Sequence, residues 1–306
     1  MIINKVYTFS EINFSIQEVA DRIEPNKVLL CDPYYFDIID VKNVHMQNQE
    51  GKLDKSLALK QWGNLKEVYQ NLVNNKVIEE VNVIDGAPDC EDMVFAANQS
   101  FPWVLNEEKI VIASKMFHAS RMKEVIHFEN FYSRLGYKIK HLQHTSYFEG
   151  MGDTIPHPFK NLLYGGFGHR STQEAYSEIS NLLQVPVITL ELKDPRFYHL
   201  DTCFLPLDKD NVLICKEAFT DEGIQAMQKT FLKIHPIPIS EAITFFALNA
   251  HIIYSKSAHN KTAIIQQGTQ VTLKILKQNN VDVIEIDTSE YMKSGGSVFC
   301  MKIMIY

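Results

Sequence analysis

The chain has 306 residues, 45% of them hydrophobic, and carries a formal net charge of -7 at pH 7. A chain of this length and composition buries a large core, which excludes an intrinsically disordered protein. Its lysines and arginines are scattered through an acidic sequence, which argues against general nucleic-acid binding and is compatible with a small cationic ligand.

The N-terminus and the cysteines bear on the cellular setting. The first residues become polar within a few positions and no stretch approaches the length of a membrane span, so we expect a cytoplasmic protein without a signal peptide or membrane contact. The five cysteines are far apart and form no CxxC pair. This pattern indicates reduced thiols rather than a disulfide framework or a zinc site, with one thiol as a candidate reactive group.

Hydrophobic periodicity and turn residues predict alternating elements along the first half of the chain. We predict helices over 15–23, 56–75 and 124–135 and strands over 27–31, 77–84, 92–98, 109–114 and 137–142. Gly136 follows the third helix at the position of a C-terminal cap. The buried strand over 92–98 is expected to end in a polar residue, Asn98.

The alternation continues through the second half. We predict strands over 186–192, 197–202, 212–215, 252–254, 281–286 and 298–305 and helices over 171–183, 221–231, 241–246 and 270–278. No Pro- or Ser-rich linker separates them, so a single α/β domain over 1–306 is the simplest organisation. The first strand is not followed by a Gly-x-Gly-x-x-Gly motif, which argues against a Rossmann fold.

A candidate nucleophile lies near the C-terminus, where a Gly295-Gly296 turn precedes an apolar strand that contains Cys300. Glycines let the backbone approach a ligand closely because they have no side chain. A lone cysteine is more often a small hydrophobic core residue than a nucleophile. The assignment of Cys300 therefore depends on its possible partners elsewhere in the sequence.

The aromatic and β-branched stretch over 196–202 contains a histidine and an acid, and its composition is typical of a strand. Side chains alternate across a strand, so Phe197, His199 and Asp201 share one face. An imidazole and a carboxylate would then point into one space. The same pattern is equally consistent with a core histidine whose structural partner is Asp201.

A third motif has Glu149 and Asp153 flanking a pair of glycines. Two carboxylates on a tight segment repel each other unless they bind a cationic ligand or share a proton. Taken alone, the pair also fits a turn or a calcium contact. With the other two motifs it indicates a cation-binding cleft that contains a thiol.

Two polar features have more ordinary interpretations. Asn43, in a loop at a strand end, is either a ligand contact or a turn former, and the local sequence favours the turn. His141 and His144 point to opposite faces of a predicted strand and lack a third ligand, so we expect neither a metal nor any other cofactor.

The order of these motifs, including the run over 92–98, resembles the guanidine-modifying enzymes of the pentein superfamily. The likeness spans 31–300 and is closest to the arginine dihydrolases, through Asn98 and the run over 199–204. It implies an α/β fold that is a five-bladed α/β propeller of ββαβ-type units around a central active-site cavity, although no such repeat is evident from the residues. Because the chain ends at Tyr306, we expect no ornithine-processing module.

The resemblance also implies roles for the candidate residues. Cys300 would be the nucleophile, His199 the general acid and base, and Glu149 the carboxylate that binds and orients the guanidinium. Residues expected to complete the polar pocket or to hold the amino-acid end of the substrate are Asn98, Asp201, Asp153, Arg121, Arg170 and Asn43. In this assignment the two arginines hold the substrate α-carboxylate.

The implied reaction is hydrolysis of the guanidinium group of arginine through a Cys thiouronium intermediate, giving ornithine, ammonia and carbon dioxide. Asn98 discriminates between branches, because deiminases carry an aspartate there and only an amide can also donate to the carbonyl of citrulline.

Hydrolysis of arginine or dimethylarginine to citrulline stays open, as does a catalytically silent arginine-binding protein. An amidinotransferase is less favoured because it needs a second amine in place of water. The expected partner is a small guanidine substrate, with no nucleic acid or membrane, and a homo-oligomer stays open.

Overall fold

The structure is a computed structural model that describes residues 4–255 and 260–306. The first three residues of the N-terminal stretch considered above lie outside these ranges. The strands in the described ranges are β1 (Val6–Tyr7), β2 (Lys27–Cys31), β3 (Glu80–Ile84), β4 (Ser100–Leu105), β5 (Glu108–Ala113), β6 (Lys138–His141), β7 (Thr154–Pro156), β8 (Leu163–Phe167), β9 (Val187–Glu191), β10 (Phe204–Pro206), β11 (Asn211–Ile214), β12 (Lys233–Pro236), β13 (His251–Tyr254), β14 (Lys261–Gln266), β15 (Val281–Ile286) and β16 (Lys302–Ile305).

The helices vary from one turn to about five. In the described ranges they are α1 (Lys55–Asn74), α2 (Ala119–Met122), α3 (Val125–Arg134), α4 (Gly150–Asp153), α5 (Ala175–Leu183), α6 (Asp221–Thr230), α7 (Ile239–Thr244), α8 (Val271–Gln278) and α9 (Ser289–Met292). None of these helices is both long enough and apolar enough to cross a membrane.

The strands of the described ranges form five small sheets. Their orders are β1-β9-β8-β7, β4-β5-β6, β10-β11-β12, β13-β14-β15 and β16-β2-β3. Each sheet contains an antiparallel pair and a further strand parallel to the second member of that pair. One of the longer helices, α5, α3, α6, α8 or α1, lies in sequence between the two parallel strands. The predicted α/β class and the five ββαβ units implied by the resemblance are therefore confirmed.

The described residues group into two compact units. Unit 1 comprises Met1–Glu24, Asn98–Pro236 and Tyr306, and unit 2 comprises Pro25–Ala97 and Ile237–Ile305. Unit 1 contains three of the sheets and unit 2 contains the other two, including the sheet in which the C-terminal strand β16 pairs with β2. The expected organisation as one catalytic domain stays a prediction.

Helix α1 illustrates how the sequence forms one of the repeats. Trp62, Leu65 and Tyr69 recur every three or four residues, so they lie on one helix face, and they belong to the same buried cluster as Val28 of β2. Burial of each such side chain contributes about 1.5–3 kcal/mol relative to exposure. Asp54 caps the helix by accepting a hydrogen bond from a first-turn N–H at 3.0 Å.

The helix predicted over 15–23 is wrong. The structure has only a 3-10 turn at Ile16–Glu18. Beyond it the chain is extended and pairs with a distant segment: the Arg22 N–H donates to the Phe159 carbonyl at 2.8 Å. These tertiary hydrogen bonds replace the ones that a continued helix would have made.

The strand predicted over 92–98 is also wrong. The N–H groups of Met93 and Phe95 bond to carbonyls three residues back, as in consecutive turns, and the strand begins only at Ser100. The run is buried as expected. A short apolar run is buried in either conformation, so periodicity does not distinguish a strand from packed turns.

The strand predicted over 197–202 is wrong: the segment follows a turn at 195–196 and contains a 3-10 helix, Leu200–Thr202. The Asp194 side chain accepts from the Arg196 N–H at 2.9 Å and starts the turn. The alternation that placed His199 and Asp201 on one strand face therefore does not apply. Similarly, the C-terminal strand begins at Lys302 rather than at residue 298, so Cys300 lies in the turn before it.

The predicted functional residues occupy corresponding places in the repeats. Asn98 and Cys300 each lie two residues before the first strand of a repeat, β4 and β16. Glu149 and His199 each lie five residues before β7 and β10. The segments that join one repeat to the next therefore carry the candidate chemistry.

Candidate active site

In unit 1 the central polar contact joins His199 to Glu149. The His199 Nε2 lies 2.7 Å from the Glu149 Oε2, and both side chains are buried. Arg170 Nη1 lies 3.4 Å from the same carboxylate oxygen. The Phe117 main-chain N–H donates to the other oxygen at 2.9 Å. Two side chains and one main-chain group thus fix the Glu149 carboxylate.

The charge state of Glu149 follows from these neighbours. Burial by itself raises the pKa of Glu149, but the positive charge of Arg170 and the hydrogen bond from His199 outweigh it, so this pKa lies well below its usual range. An ionised carboxylate only accepts hydrogen bonds. In this contact the His199 Nε2–H group therefore donates the hydrogen bond, and the Glu149 carboxylate accepts it.

Asn98 connects the imidazole to a buried cation. Its Nδ2 lies 3.5 Å from the His199 Nδ1, and its Oδ1 accepts from Arg121 Nη1 at 3.0 Å. Arg121 is in turn paired with Glu124, whose Oε2 lies 2.9 Å from Nη2. Glu124 is buried and was not predicted from the sequence. The Asn98 amide oxygen thus accepts from the Arg121 guanidinium, and its amide nitrogen faces the His199 imidazole.

Asp153 holds the main chain beside two of these residues. Its Oδ1 accepts from the Leu200 N–H at 3.1 Å, and its Oδ2 accepts from the Ser171 N–H at 3.1 Å and from the Ser171 hydroxyl at 2.7 Å. Leu200 follows His199 and Ser171 follows Arg170, so one carboxylate positions both. Burial raises the pKa of Asp153, although the charge of His199 and the Ser171 hydrogen bonds oppose this shift.

Close packing also restricts the imidazole. A Cβ atom on Gly152 would lie 2.4 Å from the Asn98 Nδ2 and 3.2 Å from the His199 Nδ1, so glycine is needed at this position. The Arg170 guanidinium lies 4.8 Å from the centre of the Tyr198 ring. A cation over an aromatic face is stabilised by the ring quadrupole, which adds to the ion pair with Glu149.

In unit 2 the turn that contains Cys300 folds around Asn249. The Asn249 Oδ1 accepts from the N–H groups of Ser297 at 2.9 Å and Cys300 at 3.2 Å, and its Nδ2 lies 3.2 Å from the Cys300 Sγ. The Asn249 carbonyl accepts from the Phe299 N–H at 2.9 Å. Asn249 belongs to none of the motifs predicted from the sequence. The available signal was its place two residues before β13, which matches Asn98 before β4.

The two glycines before Cys300 are required by backbone conformation and by packing. Gly295 has φ of 88°, in the left-handed region that favours glycine. A Cβ on Gly296 would lie 2.5 Å from the Phe95 ring and 3.1 Å from the Cys300 Cβ. Glycine is therefore required at these positions by conformation and packing within unit 2, and the close approach of a ligand stays a prediction.

Two other predicted residues have identifiable surroundings. Asn43 caps the turn Val44–Met46, because its Oδ1 accepts from the His45 N–H at 2.9 Å, and its Nδ2 donates to the Ser294 carbonyl at 2.9 Å. These bonds agree with its interpretation as a turn former. Asp201 is buried in the 3-10 helix after His199. Their roles in substrate binding stay predictions.

Sequence comparisons give two lines of relationship. The family model described as N,N dimethylarginine dimethylhydrolase, eukaryotic, matches residues 33–306. The bifunctional arginine dihydrolase/ornithine cyclodeaminase ArgZ of Synechocystis is 29% identical over 288 residues, which are 94% of this chain and 38% of ArgZ. The N(G),N(G)-dimethylarginine dimethylaminohydrolase of Mycobacterium tuberculosis is 28% identical over 262 residues, 83% of this chain and 78% of that protein. The chain thus spans 38% of the length of ArgZ.

Solved structures support the same relationship. The N-terminal domain of ArgZ, bound to product, has a TM-score of 0.82 and 27% identity and covers 92% of this chain and 97% of that domain. A dimethylarginine dimethylaminohydrolase adduct with S-methyl-L-thiocitrulline has a TM-score of 0.72 and 21% identity, covering 91% and 99%, and therefore shows the shared fold alone. With the family match over most of its length, the chain belongs to the N,N-dimethylarginine dimethylhydrolase family.

Proposed function

We propose that this protein hydrolyses the guanidinium group of arginine and carries the reaction through citrulline to ornithine, ammonia and carbon dioxide. The observation that carries the proposal is the buried His199–Glu149 contact, with Arg170 on the same carboxylate. An imidazole oriented by an ionised carboxylate is suited to transfer protons at a reacting centre. The similarity to ArgZ and to a dimethylarginine dimethylaminohydrolase supports a guanidino substrate.

The first hydrolysis assigns one role to each of three residues. The Cys300 thiolate attacks the central guanidinium carbon and forms a C–S bond. The C–N bond then breaks, and the departing nitrogen leaves as ammonia with a proton from His199. His199 next removes a proton from water, which attacks the thiouronium carbon, forms a C–O bond and displaces the thiolate. Glu149 accepts hydrogen bonds from the guanidinium and holds His199, and the first product is citrulline.

The second hydrolysis repeats these steps on the ureido group. Attack by the Cys300 thiolate expels the second ammonia, and water releases a carbamate that decomposes to ornithine and carbon dioxide. Over both rounds, one arginine and two waters give one ornithine, two ammonia and one carbon dioxide. Binding of citrulline requires a donor for its carbonyl oxygen, and we assign this donor to the Asn98 amide.

The amino-acid end of the substrate needs cations for its carboxylate. We keep Arg121 and Arg170 in this role, with Asn43, Asp153 and Asp201 completing the polar surroundings. A guanidinium offers two parallel donors to a carboxylate, which gives bidentate recognition that a lysine does not reproduce. In the structure both arginines are already held by buried glutamates, which reduces the entropy lost when they bind a ligand.

A second candidate function is hydrolysis of dimethylarginine to citrulline and dimethylamine. The observation that favours it is the family match over 33–306. The two functions differ in the leaving group and in whether the ureido product reacts again. Asn98 favours the two-step reaction, because an amide offers the citrulline carbonyl a donor that an aspartate lacks.

The test is to incubate the protein with arginine and, separately, with dimethylarginine and to quantify every product by mass spectrometry, with Cys300→Ala as the control. We expect ornithine with two ammonia per arginine, lost in the control, and citrulline accumulation in Asn98→Asp. Citrulline as the final product of the unaltered protein would contradict the two-step proposal. Turnover of dimethylarginine alone would establish the second candidate, and turnover of neither would overturn both.

A further inference from the structure

We propose that Asn249 is a thiolate-stabilising residue that favours the reactive, deprotonated form of Cys300. The inference rests on the proposed role of Cys300 as nucleophile. Its basis is the contact of 3.2 Å between the Asn249 Nδ2 and the Cys300 Sγ, in which the amide donates to sulfur. Both residues are buried, so water does not compete strongly for this bond.

The orientation of the Asn249 amide follows from its other partners. Its Oδ1 accepts from two main-chain N–H groups, those of Ser297 and Cys300, at 2.9 Å and 3.2 Å. A flipped amide would place its NH2 group against two donors, which cannot bond to it. The acceptor side is therefore fixed by the backbone, and Nδ2 is directed to the sulfur.

A hydrogen bond from a fixed amide changes the balance between thiol and thiolate. A thiol is a weak acceptor, whereas a thiolate carries a full negative charge and accepts a charge-assisted bond. The amide therefore stabilises the thiolate more than the thiol. Because the thiolate is the nucleophilic form, this contact increases the reactive fraction of Cys300 at neutral pH.

The repeat architecture provides a second observation. Asn98 occupies the corresponding place in another repeat, two residues before its first strand, as Asn249 does before β13. The Asn98 Nδ2 is directed to the imidazole of His199. In each unit, an asparagine at the same point of the repeat thus directs its amide nitrogen to a proposed reacting group.

Two substitutions separate the bond to sulfur from the support of the turn. Asn249→Asp keeps an oxygen that accepts from the two main-chain N–H groups, but it removes the donor to sulfur and adds a negative charge. Asn249→Ala removes both functions. Asn71→Asp adds the same charge to an exposed position of α1 and is the matched control.

The readout is titration of the Cys300 thiolate by its ultraviolet absorbance, isolated by subtracting the curve of Cys300→Ser. In Asn249→Ala, which adds no charge, the midpoint should move up by about one to two pH units, because a hydrogen bond to a charged group contributes that much to an ionisation equilibrium. In Asn249→Asp it should move up at least as far, because the added negative charge also disfavours the thiolate. The acidic limb of the kcat/KM profile for arginine should move by the same amount. Asn71→Asp should leave both unchanged.

An unchanged thiolate midpoint in a folded Asn249→Asp protein would overturn the inference. If neither Asn249 variant folds, the unaltered protein still tests it: the Asn249 side-chain amide resonance should titrate with the thiolate and be independent of pH in Cys300→Ser. An amide signal that does not follow the thiolate would contradict the inference. Because this titration needs no substrate, a shifted midpoint without arginine turnover would refute only the proposed function.

Discussion

The two units hold their candidate chemical groups by different means. In unit 1, His199 is set by charged and amide side chains, with a glutamate on one ring nitrogen and an asparagine beside the other. In unit 2, Cys300 is set by main-chain geometry, because the turn before it bonds to one asparagine and contains two glycines. Loss of the Glu149 charge should therefore act on the first group, and a Cβ atom added in the glycine turn should act on the second.

The largest expected effect on the charged cluster comes from Glu149→Gln. The substitution removes the carboxylate that pairs with Arg170 and accepts the hydrogen bond from His199. We expect kcat/KM for arginine to fall about a hundredfold to ten-thousandfold, the usual contribution of acid–base catalysis. Steady-state kinetics on protein with an unchanged circular dichroism spectrum are the measurement.

Glu108→Gln is the matched control, since it removes an exposed carboxylate of the same unit whose partner is Lys138. Exposed ion pairs contribute little to stability, so this variant should retain full activity. Equal losses of activity in the two variants would show that the position of the Glu149 charge is unimportant.

Glu149→Gln should also change how the free energy of unfolding depends on pH. The pKa of Glu149 is lower in the folded chain than its ordinary value of 4.5, against the effect of burial and because of Arg170 and His199. The folded state thus binds this proton more weakly than the unfolded state does. The resulting stabilisation is complete above pH 4.5 and is lost as the pH falls below it. Urea unfolding at several acidic pH values should show a shallower decline for Glu149→Gln, and parallel declines would contradict this assignment.

The smallest expected effect is on the free energy of unfolding and comes from a substitution in the glycine turn before Cys300. Gly296→Ala forces a Cβ atom to within 2.5 Å of the Phe95 ring, and we expect it to reduce the free energy of unfolding. Overpacking of this kind costs about 1–3 kcal/mol. Gly63→Ala, in the exposed face of α1 with open space around it, should instead stabilise the protein by about 0.5–1 kcal/mol. Denaturant unfolding of the pair measures the difference, and an equal response would show that the turn is not tightly packed.

Local sequence patterns predicted the elements that are long or bounded by clear signals. Helix α1 and strand β2 were predicted within a residue, because periodic apolar residues mark the helix and a short continuous apolar run marks the strand. Short strands such as β7 and β10, of three residues each, were missed because they contain too few residues to show a period. The segments over 92–98 and 197–202 are held by tertiary contacts and turns, which composition does not encode.

The residues of the candidate site also differ in how well the sequence predicts them. Cys300, His199 and Glu149 were proposed because their residue types carry chemistry, and their motifs resembled a known family. Asn249 and Glu124 carry no such signal, since each is an ordinary polar residue whose importance lies in what it contacts. Asn249 contacts Cys300, which is 51 residues away in sequence, and Glu124 pairs with Arg121 within the same buried cluster, so the contacts rather than the residue types identify them.

The central claim is that Cys300 forms a covalent intermediate with the guanidino carbon. The most direct measurement is the mass of the intact protein after a reaction with arginine has been quenched with acid. We predict an adduct with the mass of arginine less ammonia, located on the Cys300 peptide and absent from Cys300→Ser. Turnover without any adduct, continuing in Cys300→Ser, would contradict the account.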